Sequence, residues 1–390
     1  MNKYFILILI IAQCIYANKK IIINGNNLTK DYVILDVINQ DDSIPNIEND
    51  ENNLLALEIF EEVFIESNDS LYIINVIEKP QIITFPLIDR NESLGWSYGI
   101  KLHLNNINGE NKKLKFNLST GAIGSGSIIY EQPSFYNNHK LSGEIFKRHR
   151  TDIEDNYLLD ESQLNINYIL PLYIENASLK FTLSYYNNQL DYIEHNNLYD
   201  IHGQSFSAGY SRVFAANKYK NIFNSQLTFY DFNKFLSYQF LDLHNSFIYK
   251  ISSSNNIFLL VRNQLSIYSI ANIPIYQQLY IGGEDGVRSF EQKPSLNNIA
   301  IQNQLVANNI FLTTIQLQIP FYDMNGIQSD LLLFIDYGIG ADYYKHFDLN
   351  NKISGKGFGI RFNVPDQGEF DICIGTNQFG EKILHFIVNI

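Results

Sequence analysis

The sequence predicts an all-β transmembrane β-barrel of about 16 antiparallel strands, preceded by one small α+β domain. Three observations carry this reading. The chain opens with an export signal, and no later apolar run is long enough for a membrane-spanning helix. From residue 82 onward, apolar and polar residues alternate with period two in segment after segment. Tyr (26) and Phe (27) are abundant among 390 residues, while charged residues make up 18%. That balance suits a lipid-facing wall with aromatic girdles.

Residues 1–17 read MNKYFILILIIAQCIYA. Lys3 gives the positive start, Tyr4 to Ile11 the apolar run, and Ala17 the small residue for cleavage, so this segment is read as a secretory signal peptide. Cys14 also admits a lipoprotein reading, against which stands Gln13 where lipidation wants a small residue. After cleavage Cys373 is the remaining cysteine, which excludes an internal disulfide and a Cys-based zinc site. With 28 basic and 41 acidic residues the net charge is −13. No basic footprint for nucleic acid is present.

Residues 18–82 differ from the rest. Lys20 to Ile23 is a short strand stopped by Asn24-Gly25-Asn26. Thr29 is positioned to cap a helix through Tyr32, Val33, Leu35, Val37 and Ile38. Ile44 to Asp50 reads as a polar loop. Leu54, Leu55, Leu57, Ile59 and Phe60 read as a second helix, and residues 71–80 (LYIINVIEKP) as a strand ended by Pro80. A further strand is expected near Val63 to Glu66. The order strand, helix, helix, strand, strand, with IIINGNNLTKDYVI at one end and the Val76, Glu78, Pro80 ending at the other, resembles a polypeptide-transport-associated (POTRA) domain. The resemblance implies a periplasmic module that captures clients along a strand edge at Leu71, Ile73 and Asn75. Any small α+β module would share these features. The junction with the barrel (83–390) is expected to be accessible near Ile82–Asn91.

Beyond it, LKFNLS (114–119) sets Leu114, Phe116 and Leu118 against Lys115, Asn117 and Ser119. SLKFTLSY (178–185) and FGIRFNV (358–364) repeat the pattern. Candidate strands lie near 93–105, 112–121, 125–133, 139–148, 162–170, 177–187, 203–214, 221–231, 234–241, 245–252 and 257–268. They continue near 309–320, 330–340, 353–363, 368–377 and 381–390. A soluble sandwich would also alternate. The export signal and the even strand number favour the membrane barrel. The final strand, ILHFIVNI, ends at Ile390 where such barrels commonly end in an aromatic residue.

The longest stretch without alternation is Ala271 to Asn308, which contains IPIYQQLYIGGEDGVRSF (273–290). With the later LLLFIDYGIG it resembles the lumen-folded loop and wall strand of the outer-membrane assembly and secretion barrels. Those are the BamA- and TamA-type assembly factors and the two-partner secretion translocators. The loop motif stands here as Gly282, Gly283, Val287, Arg288, Ser289 and Phe290. The wall motif stands as Phe334, Asp336 and Gly338. Ser289 replaces the family's glycine, and serine tolerates positive φ poorly. On the residues alone, Arg288 is equally a solvated loop charge and Asp336 an ordinary acid. The resemblance implies that Arg288, a planar five-donor group, binds the Asp336 carboxylate inside the barrel.

No HExxH, GxSxG or P-loop lysine motif occurs, so no enzyme activity, metal or cofactor is expected. His195 and His202 read as solvated loop residues. What the resemblance implies is a monomeric barrel of the bacterial outer membrane, with a periplasmic POTRA-like domain and no nucleic-acid partner. Its partners would be exported polypeptides or nascent outer-membrane proteins, and outer-membrane lipid. NNIFLLVRNQLSIYS with the loop motif most resembles the two-partner (hemolysin activation/secretion) translocators, although those usually carry two POTRA domains and a plug helix. Alternatives are a BamA/TamA-type assembly factor and a passive porin or adhesin-like surface barrel.

Overall fold

The computed structural model describes residues 20–38, 47–68, 71–91, 94–136, 139–152, 156–174, 176–193, 197–252, 256–292, 305–324, 327–364 and 368–389. The signal segment 1–17, with Cys14, and the terminal Ile390 lie outside them. Packing divides the chain into two units. The first runs through Thr84 and also takes in Leu102–Lys115 and Tyr130–Pro133; the second holds the rest.

In the first unit, β1 (Lys20–Asn24), α1 (Asp31–Leu35), α2 (Ile47–Leu55), β2 (Phe60–Ser67) and β3 (Leu71–Glu78) follow one another. The sheet order is β1-β3-β2, with β1 parallel and β2 antiparallel to β3. Ile34, Leu54, Ile59, Phe60 and Ile74 form its core. Three expectations are corrected. Thr29 does not cap α1: Lys30 holds the N-cap position without a side-chain bond. Instead Thr29 donates through its backbone N and Oγ1 to Glu78 Oε1, at 2.6 and 2.5 Å. The second helix lies earlier than expected, because Glu58 turns left-handed (φ 62°) and sends Ile59 and Phe60 into β2. The helix spans the polar IENDENNLL, where Asp50 is buried by the Tyr72 hydroxyl at 2.6 Å. Finally, Leu71, Ile73 and Asn75 are not an edge. β1 pairs with them on one flank of β3 and β2 lies along the other, so the free edges belong to β1 and β2.

The turn 106–111 packs within this unit. Asn106, Asn108 and Asn111 take positive φ, which asparagine accepts better than most residues. Asn106 Nδ2 donates to Thr29 Oγ1 at 2.7 Å, Lys30 N donates to the Gly109 carbonyl at 3.0 Å, and Glu110 pairs with Lys112 and Lys30.

The remaining strands are β4 (Ile82–Asn91), β5 (Gly95–Ile107), β6 (Lys112–Gly121), β7 (Ile123–Tyr136), β8 (His139–Asp152), β9 (Tyr157–Pro171) and β10 (Ala177–Tyr192). Next come β11 (Asn197–Ala216), β12 (Tyr219–Phe232), β13 (Tyr238–Ser252) and β14 (Ile257–Tyr268). Two-residue strands β15 (Leu279–Tyr280) and β16 (Val306–Ala307) pair with each other. β17 (Asn309–Met324), β18 (Ile327–Ala341), β19 (Ile353–Val364), β20 (Gly368–Asn377) and β21 (Lys382–Asn389) complete the chain. Among the described residues, sixteen of these form one antiparallel sheet, β4 through β14 and β17 through β21, which makes a nearly closed barrel. No described helix is long and apolar enough to cross a membrane.

The expected count of about 16 is reached by a different route. Ile82–Asn91 is the first wall strand rather than an accessible junction, and 234–241 with 245–252 is the single strand β13. Pro86 disguised β4, since proline is confined to strand edges and termini. The alternation separates two wall faces. On β18, Ile335 is 42% exposed and its neighbour Asp336 1%. The exposed face carries Leu333, Ile335 and Tyr337 for lipid; the buried face points to the lumen.

Candidate functional site: a loop docked in the lumen

The stretch from Ala271 connects β14 to β17, which are neighbours in the wall. It therefore closes no gap in the sheet and is free to fold inward. Its tip is a tight hydrogen-bonded knot. Ile281 N donates to the Leu305 carbonyl at 2.8 Å and Val287 N to the Ile281 carbonyl at 2.7 Å. Gly283 N donates to the Phe290 carbonyl at 2.9 Å. Gly283 sits at φ +98°, and a Cβ on Gly282 would meet the Glu291 carbonyl at 2.5 Å, so the glycine pair is required by the turn. Ile281, Val287 and Phe290 bury against Leu305, Ile310, Leu312 and Ile353.

Arg288 projects from this knot into the wall. Its Nε and Nη2 donate to Asp336 Oδ2 and Oδ1, both at 2.9 Å, and its backbone N adds a bond to Oδ2 at 3.1 Å. Nη1 donates to Gln316 Oε1 at 2.8 Å. Thr314 Oγ1 donates to Asp336 Oδ1 at 2.9 Å. The guanidinium lies 3.7 Å from the centroid of the Phe334 ring, within cation–π range. The two charged side chains are 7% and 1% exposed. Such a pair offsets its desolvation only because nearly every donor and acceptor is used.

The wall beneath the tip is made of glycine. Gly338, Gly340, Gly355 and Gly375 face the loop. A Cβ on Gly375 would lie 2.2 Å from the Arg288 carbonyl oxygen, and one on Gly338 2.2 Å from Ile281 Cγ2. Ser289 fits because Gly355 leaves room: a Cβ there would meet Ser289 Oγ at 1.6 Å. The expected backbone strain at Ser289 does not arise, since it is not among the positive-φ residues. The cost lies elsewhere, in a buried Oγ without a hydrogen-bonding partner among the described residues.

The other limb of the loop rests on the opposite strands. Ile273, Ile275, Tyr276 and Leu279 pack on an aromatic wall that includes Tyr186, Phe232, Tyr238 and Tyr268. Tyr268 Oη donates to the Gln277 carbonyl at 3.2 Å, and the Tyr238 hydroxyl donates to the Gln277 side chain. The loop thus crosses from β9–β14 to β17–β20. Beside its tip lies a cavity of about 400 Å³ lined by Arg262, Gln264, Asp285, Arg288, Arg361 and Asp371, among others. Arg361 is itself held by Asp371 through two bonds of 2.8 and 2.7 Å.

The Omp85 superfamily domain matches residues 106–389 of this sequence. The chain belongs to the Omp85 superfamily. Solved Omp85-like structures share its architecture. BamA from Haemophilus ducreyi lacking POTRA domains 1-3 superposes with a TM-score of 0.69 at 16% identity, covering 95% of this chain and 82% of that one. CdiB from Acinetobacter baumannii gives 0.68 at 13% identity, covering 95% and 73%, and CdiB from Escherichia coli 0.63 at 13%, covering 96% and 75%. At these identities the likeness establishes the fold. No curated protein matches the chain. An Omp85 barrel is a barrel of the bacterial outer membrane.

Of the sequence-derived site residues, the structure brings Arg288, Phe334 and Asp336 into one contact, with Gly282, Gly283, Val287, Ser289, Phe290 and Gly338 around it. Leu71, Ile73 and Asn75 lie elsewhere, on β3. Gln316, Thr314, Gly355 and Gly375 were missed. Glycine at every second position in GKGFG (355–359) was a legible sign of a bare stripe on one strand face. Among the described residues no group of His, Cys, Asp and Glu is arranged to hold a metal.

Proposed function

We propose that this Omp85 barrel passes polypeptides across or into the outer membrane, with residues 271–308 as a lid that docks and leaves. No catalytic step is part of the proposal. The observation that carries it is the Arg288 contact: a buried charge pair and a wall stripped of side chains hold a loop that the sheet itself does not need. Opening such a lid would join the polar cavity beside Arg262 and Arg361 to the rest of the lumen. The α+β module fits the part of a POTRA-like periplasmic domain that presents clients. With β3 central, the capturing edge would be β1 or β2, where unpaired backbone groups accept an added strand.

We favour secretion of an exported partner, in the manner of the two-partner translocators, over insertion of other barrels. The sequence around β14 and the lid supports this choice. Depletion of the protein followed by proteomics of outer-membrane and secreted fractions tests it. Loss of one or a few secreted proteins is expected. General loss of outer-membrane barrels would favour the assembly-factor reading, and unchanged fractions would reject both.

A further inference from the structure

The wall has two ends that no ladder joins. Among the described residues the sheet runs from β21 to β4 without pairing those strands. Arg90, near the end of β4, stands at this seam. Its Nη1 donates to the backbone carbonyl of Phe386 on β21 at 3.1 Å and to Glu284 Oε1 of the lid at 2.6 Å. The guanidinium also lies 5.9 Å from the ring centroids of both Phe386 and Trp96. Those rings are 40% and 42% exposed, on the lipid side, whereas Glu284 belongs to the loop inside. Arg90 therefore touches groups of both wall faces, at the place where a ladder would otherwise fill the wall.

A ladder holds two strands through many repeated bonds. Here one planar fork reaches the last strand, and its orientation depends on a carboxylate that the lid supplies. Glu284 lies four residues before Arg288, within the same hydrogen-bonded knot. If the knot lifts from Asp336, Glu284 goes with it. Arg90 then keeps a single carbonyl acceptor and two edge contacts with rings.

We propose that Arg90 is a positioning residue that couples the lid to the seam, so that a docked lid holds β4 against β21 and an undocked lid lets them part. This rests on the reading of residues 271–308 as a movable lid. A neutral view would make Arg90 a local brace with no link to the tip. The two views differ in what Glu284 and Arg288 do to a distance they do not themselves define.

The test uses the full chain in lipid nanodiscs, with spin labels on the lipid-facing Ile88 and Leu384, which are 42% and 50% exposed. A second pair, on the exposed tip residue Asp285 and on Ile315, reports the lid. Retained heat-modifiable migration shows that each variant folds. Arg90→Ala is expected to shift the 88–384 distance to longer values and broaden it. Glu284→Gln and Arg288→Ala should each shift it the same way. Arg288→Ala added to Arg90→Ala should shift it no further. An unchanged 88–384 distance in Arg90→Ala would overturn the proposal. So would a shift in Arg90→Ala that Glu284→Gln fails to reproduce. If Arg288→Ala moves the 285–315 pair and leaves the seam alone, the lid stands and the coupling falls. If it moves neither pair, the lid reading falls and takes the coupling with it. Should Arg90→Ala not fold, Glu284→Gln decides, since Glu284 takes part in no wall ladder.

Discussion

Consider Arg288→Ala. The change removes the Nε and Nη2 bonds to Asp336, the Nη1 bond to Gln316 and the stack on Phe334. It leaves the backbone N–H of residue 288 and the Thr314 hydroxyl as donors to a carboxylate that is 1% exposed. Removing one partner of a buried pair costs about 3–5 kcal/mol, chiefly because the other charge stays buried and unpaired. The adjoining cavity gives Asp336 access to water, so the lower figure applies. About 3 kcal/mol, at ~1.4 kcal/mol per factor of ten, is on the order of a hundredfold in the docked-to-undocked ratio. The wall ladders are untouched, so the barrel should still fold. Single-barrel conductance in planar bilayers reads the result: open-state occupancy should rise steeply in Arg288→Ala and similarly in Asp336→Asn. Arg288→Ala with Asp336→Ala should be no worse than either alone, since the second change removes the orphaned charge. Occupancy like that of the unaltered protein, or strictly additive effects, would refute the reasoning.

Three further outcomes are expected. Gly375→Ala, whose Cβ would lie 2.2 Å from the Arg288 carbonyl oxygen, should undock the lid as Arg288→Ala does, measured by the same conductance. Ser289→Ala should leave docking unharmed or strengthen it, because a buried unsatisfied hydroxyl costs about 1–3 kcal/mol; reduced spontaneous opening checks this. In the first unit, Lys112 and then Lys30 hold the Glu110 carboxyl at about 2, below its ordinary 4.5. A lowered carboxyl contributes its stabilisation fully above the ordinary value and loses it as pH falls from 4.5 toward 2. Amide exchange at the turn 106–111 should rise in that window, and Glu110→Gln should abolish this pH dependence.

Much of the architecture was legible because period-two alternation is a local signal. β6, β10 and β19 show it within ten residues. β4 was not legible, as Pro86 and a run of consecutive apolar residues hide its period. β13 was split because Leu241, Asp242 and Leu243 mix the two faces where the lumen turns from aromatic to polar. In the module, Glu58 reverses the backbone without glycine, so the boundary between α2 and β2 was misplaced. The parallel pairing of β1 with β3 joins residues about fifty positions apart, which no local pattern reports; hence a central strand was taken for an edge. The loop motif marked Arg288, but Gln316 and Gly375 join the site only through register. Arg90 does so through a meeting of the first and last wall strands.

The central claim is that polypeptides pass through a lumen closed by this lid. The most direct measurement places a photo-reactive residue at Gln264, which lines the cavity beside Arg288, and a control at the lipid-facing Ile315. Newly synthesised chains are pulse-labelled in living cells and then irradiated. The account predicts labelled polypeptide crosslinked at position 264, more of it in Arg288→Ala, and none at 315. Absence of newly made polypeptide at 264 in both the unaltered protein and Arg288→Ala, with crosslinking at 315 intact to other envelope components, would contradict it.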